Sequence, residues 1–140
     1  NRVVFVVKYE NEIVDAVGRA LTNRLPKWKR YGNSPLPYQF GRGNAAVVVE
    51  DCISASVIGS VKGFIGVALL GTSLLERHKL LLSKFSTVIV ALDPDALFKN
   101  LEIAKELRNY VDNVKVIRLK DDLKYRQEED FNKLKEVVWN

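Results

Sequence analysis

Apolar residues in this chain fall into short, solid runs separated by polar and turn-forming stretches. Val3–Tyr9 is β-branched and aromatic and predicts a strand. Glu10-Asn11 is a polar turn. Residues 12–21 predict either a second strand closing a hairpin or a short helix, since the alternation of Ile13, Asp15, Val17 and Arg19 does not separate the two. Residues 24–44 hold three of the four prolines, Pro26, Pro35 and Pro37, with glycine and asparagine around them. That stretch predicts irregular structure and a subdomain junction.

From residue 45 the pattern changes. Residues 45–49, 64–70, 87–92 and 114–119 are almost wholly apolar and predict buried strands. Between them, residues 54–61 predict a helix with Ser54 as N-cap, and residues 73–85 a helix with capping-box spacing from Ser73 to Glu76. Residues 96–111 predict a helix with the apolar stripe Leu97, Leu101, Ala104, Leu107 and Val111, and residues 130–139 a last helix. Strands alternating with helices imply an α/β fold, a parallel sheet with helices on both faces. The expected organisation is a small, basic, β-rich N-terminal subdomain over residues 1–44 and an α/β domain over residues 45–140.

The length of 140 residues suits one domain with a small appendage. No apolar run approaches the ~18 residues needed to span a membrane, and the start runs straight into a strand-like pattern. A lone Cys52 and a lone His78 exclude an internal disulfide and a zinc finger, which predicts a reducing, cytoplasmic setting. With Asn first and no methionine, the chain is expected to be a piece of a longer polypeptide.

The net charge of +5 is unevenly spread. Residues 1–44 carry eight Lys/Arg against three Asp/Glu, whereas residues 45–140 carry fourteen of each. Between Arg24 and Arg42 there is no acid, and Trp28, Tyr31, Tyr38 and Phe40 are interleaved with the cations. Cations for phosphates beside rings for bases suit a nucleic acid. Arg19, Lys27, Lys29, Arg30 and Arg42 are the candidate contacts.

Two of the predicted strands end in acids: Val49 is followed by Glu50-Asp51, and Leu92 by Asp93-Pro94-Asp95. In parallel α/β sheets the functional crevice lies outside the carboxyl ends of the strands. Acids meeting there repel one another, and a hard divalent cation relieves the repulsion; Mg²⁺ fits, with Mn²⁺ as a substitute. Pro94 makes the Asp-Pro-Asp turn compact, although Asp95 also fits a plain helix cap.

An apolar strand ending in Glu50, a glycine-bounded strand, then an apolar strand ending in Asp93-Pro94-Asp95 and entering a helix resembles the Toprim domain. That domain is shared by topoisomerases, bacterial and phage primases and some nucleases. The resemblance runs from about Ala45 to Leu123. It implies that Glu50 acts in acid/base or metal chemistry and that Asp93 and Asp95 bind metal. It also implies that Lys120-Asp121-Asp122 supplies a further acid, taken as Asp121. Residues 67–73 and 136–140, with the basic segment ahead of Glu50, are similar to the primase part of phage primase-helicases. Two positions depart from the family pattern: Asp51 stands where glycine is common, and Ser54 where primases have an acid.

The resemblance implies Mg²⁺-dependent nucleotidyl transfer: synthesis of an RNA primer from ribonucleoside triphosphates on a single-stranded DNA template. A helicase and a zinc-binding domain, on the same or another chain, are the implied partners, and the implied setting is the cytoplasm, that of the host for a phage protein. The alternatives are a Toprim nuclease cutting DNA or RNA, and a non-catalytic module binding DNA or a replication protein.

Overall fold

The hairpin is the alternative that the chain adopts. In the computed structural model, which describes residues 1–70 and 73–139 with side chains as far as Val137, β1 (Arg2–Tyr9) and β2 (Glu12–Ala20) pair antiparallel. Glu10 and Asn11 take φ of 51° and 67°. Two positive φ values in a two-residue loop give the turn whose twist matches the flanking strands. A short β3 (Trp28–Arg30) completes a three-stranded sheet in the order β1-β2-β3.

The proline-rich stretch thus supplies a strand, and then a second one. The strand β4 (Tyr38–Gly41) joins the edge of the larger sheet, antiparallel to β6 (Gly63–Ala68). With β5 (Gly43–Val49), β7 (Thr87–Val90) and β8 (Asn113–Val116), the five-stranded order is β4-β6-β5-β7-β8, parallel from β6 to β8. The larger sheet therefore draws its edge strand from within residues 1–44.

Alternation along β5 explains its unbroken apolar run. Ala45, Val47 and Val49 face a layer containing Ala55 and Ile58 of α1 (Cys52–Gly59) and Leu134 of α4 (Glu128–Trp139). Ala46 and Val48 face Leu82 of α2 (Glu76–Leu82) and Ile103, Ala104 and Leu107 of α3 (Leu97–Leu107). With both faces covered, residues 45–49 are buried and apolar at every position. The small sheet packs onto the first layer through Val7 and Val17, with Phe5 and Trp28 against them. Helix α1 lies directly on β6: a Cβ at Gly66 would come within 2.0 Å of the Ala55 carbonyl oxygen.

Helix starts differ from the sequence reading, each for a local reason. The cap of α1 is Asp51 rather than Ser54: the Ser54 N–H donates to Asp51 Oδ1 at 2.8 Å. Helix α2 begins at Glu76, and the His78 ring caps it, with Nδ1 accepting the Leu75 N–H at 3.0 Å. In α3, Leu97 and Leu101 are 40% and 50% exposed. The buried stripe instead runs Asn100, Ile103, Ala104, Leu107, because Asn100 Oδ1 turns inward to accept the Leu92 N–H at 3.0 Å. Asp95 does not cap α3; Ala96 holds that position without a side-chain bond. Gly71, Thr72, Asn140 and the side chains of Val138 and Trp139 lie outside the described residues.

Candidate active site

Strands β5 and β7 are hydrogen-bonded neighbours in register, with Val48 opposite Val90. Their chains therefore leave the sheet side by side, carrying Glu50 and Asp93 to one rim. A third acid, Asp122, arrives from the segment after β8, just before a short 3-10 turn (Leu123–Tyr125). The loop is anchored by Asp130, fully buried in α4, whose carboxylate accepts the N–H of Lys120 at 2.7 Å and of Asp121 at 3.1 Å. The three acids line a cavity of about 400 Å³ together with Lys124, Trp28 and Arg30, so the small sheet forms its other wall.

Asp93 interacts with both Asp122 and Glu50. Burial raises the Asp93 carboxyl; a hydrogen bond from Asp122 lowers it, and the nearby Glu50 and Asp95 charges raise it again, with a net upward shift. Asp122 is pushed up to about 6, by burial first and then by Asp93, against the pull of Lys124. Among the described residues no group of three or more Asp, Glu, His or Cys forms a ready-made metal site. Mg²⁺ commonly uses only one or two carboxylates, filling its shell with water and substrate phosphate. Hard oxygen donors on three segments fit such an ion.

Not every sequence-predicted acid arrives in this way. Glu50 and Asp93 line the cavity, whereas Asp95 is exposed at its edge and acts on Asp93 through charge. Asp122, not Asp121, is the acid facing Asp93. Asp121 Oδ1 turns back to accept the Asp122 N–H at 2.8 Å. Residues not singled out as site candidates in the sequence also line the cavity, Lys124 and Cys52 among them. The Cys52 thiol, buried and beside Asp51, is pushed up to about 12. That makes it inert as a nucleophile.

The basic residues divide. Arg19 stacks over Trp28, 5.5 Å from the ring centroid, and Lys29 lies over Tyr31 at 5.4 Å. Arg19, Arg24 and Lys27 line a second cavity of about 300 Å³ beside the loop between β2 and β3. Arg30 reaches the main cavity, but its guanidinium is engaged: it pairs with Asp15 at 2.7 Å and donates to the carbonyls of Ser34 and Leu70. Arg42 precedes β5 and stands at the opposite end of that strand from Glu50, roughly 25 Å away at ~3.3 Å per residue.

Removing one acid is expected to stabilise the metal-free protein. The folded pKa of Asp122, about 6, exceeds the ordinary 3.8. The unfolded chain therefore releases this proton first as pH rises, and the folded state is penalised fully above the folded value. Asp122→Asn should raise the thermal midpoint at neutral pH and leave it little changed near pH 4. Adding Mg²⁺ should raise the wild-type midpoint more at neutral pH than at pH 5. A midpoint lowered at neutral pH by Asp122→Asn would contradict the assignment.

The fold is an α/β core with a mostly parallel five-stranded sheet, and the acids stand at one rim of it. Among solved structures, this core is similar to the catalytic parts of DNA primases. The DnaG primase catalytic domain bound to single-stranded DNA is 23% identical, with a TM-score of 0.72, over 96% of this chain and 50% of that one. The zinc-binding and RNA polymerase domains of the Aquifex aeolicus primase give 22% identity and a TM-score of 0.73 over 98% and 39%. The primase fragment of the bacteriophage T7 primase-helicase gives 17% identity and a TM-score of 0.67 over 97% and 62%. At these identities the likeness is one of fold, and the chain spans about half the length of these structures. No family model and no curated protein sequence matches the chain. No helix among the described residues is long and apolar enough to cross a membrane.

Proposed function

We propose that this chain carries out divalent-metal-dependent nucleotidyl transfer on single-stranded DNA, joining ribonucleoside triphosphates into a short RNA primer. The observation that carries the reading is the convergence of Glu50, Asp93 and Asp122 on one rim of a cavity walled by the small sheet. The fold shared with primase catalytic cores, one of them described with single-stranded DNA, supports it.

Glu50, Asp93 and Asp122 would hold Mg²⁺, or Mn²⁺ in its place, with Asp95 adding negative potential from the edge. Held there, such an ion would supply Lewis acidity for a triphosphate, a 3′-hydroxyl and the leaving pyrophosphate. In the reaction the 3′-oxygen bonds to the α-phosphorus, the bond to the bridging oxygen breaks, and pyrophosphate departs. Glu50, exposed at the rim, serves as a ligand or accepts the hydroxyl proton on a carboxylate oxygen. Lys27 and Lys29, both exposed, with Arg19, take phosphates of the template or nucleotide. Template selection and unwinding fall to a zinc-binding domain and a helicase on the same or another chain. Asp51 fills the position where the family commonly has glycine without adding a free ligand, because it caps α1 and pairs with Lys124 at 3.2 Å.

The test is incubation of the chain with a labelled single-stranded template, the four ribonucleoside triphosphates and Mg²⁺. Short RNA oligomers that vanish with chelator are the expected result. Shortening of the template without RNA synthesis would replace this reading with that of a nuclease.

A further inference from the structure

Lys124 makes contacts that the proposed reaction does not use. Its Nζ lies 3.2 Å from Asp51 Oδ2 and 3.5 Å from Asp122 Oδ2. All three side chains are largely withdrawn from water, 21%, 14% and 15% exposed. The other Asp51 oxygen is taken by the Ser54 N–H, so this carboxylate has a fixed orientation. The ring of Tyr125 lies 5.6 Å from the ammonium and bounds it on a further side. Lys124 is therefore a held charge, inside the same cavity as Glu50 and Asp93.

The acids of the cavity divide accordingly. Asp93 interacts with Glu50 on one hand and Asp122 on the other. Asp51 Oδ2 and Asp122 Oδ2 already share the Lys124 ammonium. Two catalytic divalent ions commonly sit about 3.5–4 Å apart, bridged and flanked by acids. A second ion beside Asp122 would have to expel Lys124 from a paired, mostly desolvated position and leave the ammonium without its counter-charges.

We propose that Lys124 is the built-in second cation of this site, so that the nucleotide-free protein takes a single divalent ion, held by Glu50, Asp93 and Asp122. The inference rests on the metal site proposed above and sets its stoichiometry. The Lys124 charge keeps Asp51 and Asp122 neutralised when the ion is absent. It also places a fixed positive charge where a triphosphate would approach.

The experiment counts Mn²⁺ bound to the nucleotide-free chain by electron paramagnetic resonance and by calorimetry, with circular dichroism on the same samples. The expected wild-type count is one. Lys124→Met, and Lys124→Gln as a polar alternative of similar length, should each bind two, with the signal broadened by coupling between neighbouring ions. Lys124→Arg, which keeps the charge, should stay at one. A wild-type count of two, or a count of one for a folded Lys124→Met or Lys124→Gln, overturns the proposal and leaves the metal site standing. A wild-type count of zero overturns the metal site, and this proposal with it.

Discussion

Asp93→Asn should lower primer synthesis by about a thousandfold, equivalent to roughly 4 kcal/mol of transition-state stabilisation. Asp93 is the acid at which the others meet: it interacts with Glu50, Asp95 and Asp122. Asparagine keeps its size and one oxygen but removes the charge that a hard cation requires. The loss should appear in kcat and in Mn²⁺ affinity together, because the same group would serve both. Stability should not fall, since the charged carboxylate is disfavoured where it stands. An Asp93→Asn protein with wild-type turnover and Mn²⁺ binding would remove the acid rim from the mechanism.

Arg30→Ala should cost on the order of 3 kcal/mol of stability, because it strands a buried carboxylate. The Asp15 side chain is fully enclosed, while that of Arg30 is 33% exposed. Asp15 accepts hydrogen bonds from the N–H of Ala16 at 2.7 Å, the N–H of Ser34 at 3.1 Å and Arg30 Nε at 2.9 Å. Burial pushes the Asp15 carboxyl up, but the Arg30 bond and charge, with the two backbone donors, outweigh it and hold the group below its usual 3.8. A depressed folded pKa contributes stability that is complete above the unfolded value and fades as pH falls through the folded one. The penalty for Arg30→Ala, read by urea unfolding, should therefore be largest at neutral pH and shrink in acid. Pairing Arg30→Ala with Asp15→Asn should recover part of it, because an uncharged amide oxygen still accepts a backbone N–H there. If Arg30 served only the nucleic acid, the single variant would lose DNA affinity with its unfolding curve unchanged.

Arg30 also illustrates what the amino-acid sequence reveals and what it hides. The parallel sheet was legible because strands covered on both faces must be apolar at every position, as residues 45–49 are. Glu50 and Asp93 were legible because acids directly following such strands have one place to go. The strands within residues 24–44 were not, since Trp28–Arg30 is short and Tyr38–Gly41 lies at an edge, where pairing rather than pattern makes the strand. A basic cluster shows charge but not commitment: Arg30 is matched to Asp15 across 15 residues of sequence, and Arg42 falls at the far end of β5. The choice of Asp122 over Asp121 depends on Asp130 gripping two successive N–H groups, a tertiary contact without a local pattern. Leu97 and Leu101 sit at helical spacing, yet Asn100 wins the inward direction because a strand N–H needs an acceptor.

The bare α-carbon at position 66 governs more than the strand that contains it. Because α1 rests there almost backbone to backbone, a single methyl would lever the helix outward. The chain entering that helix is Glu50-Asp51, so the rim acid and the lysine's anchor would be displaced together. A residue in the middle of the sheet, touching neither, thereby sets the spacing on which the whole charge arrangement depends.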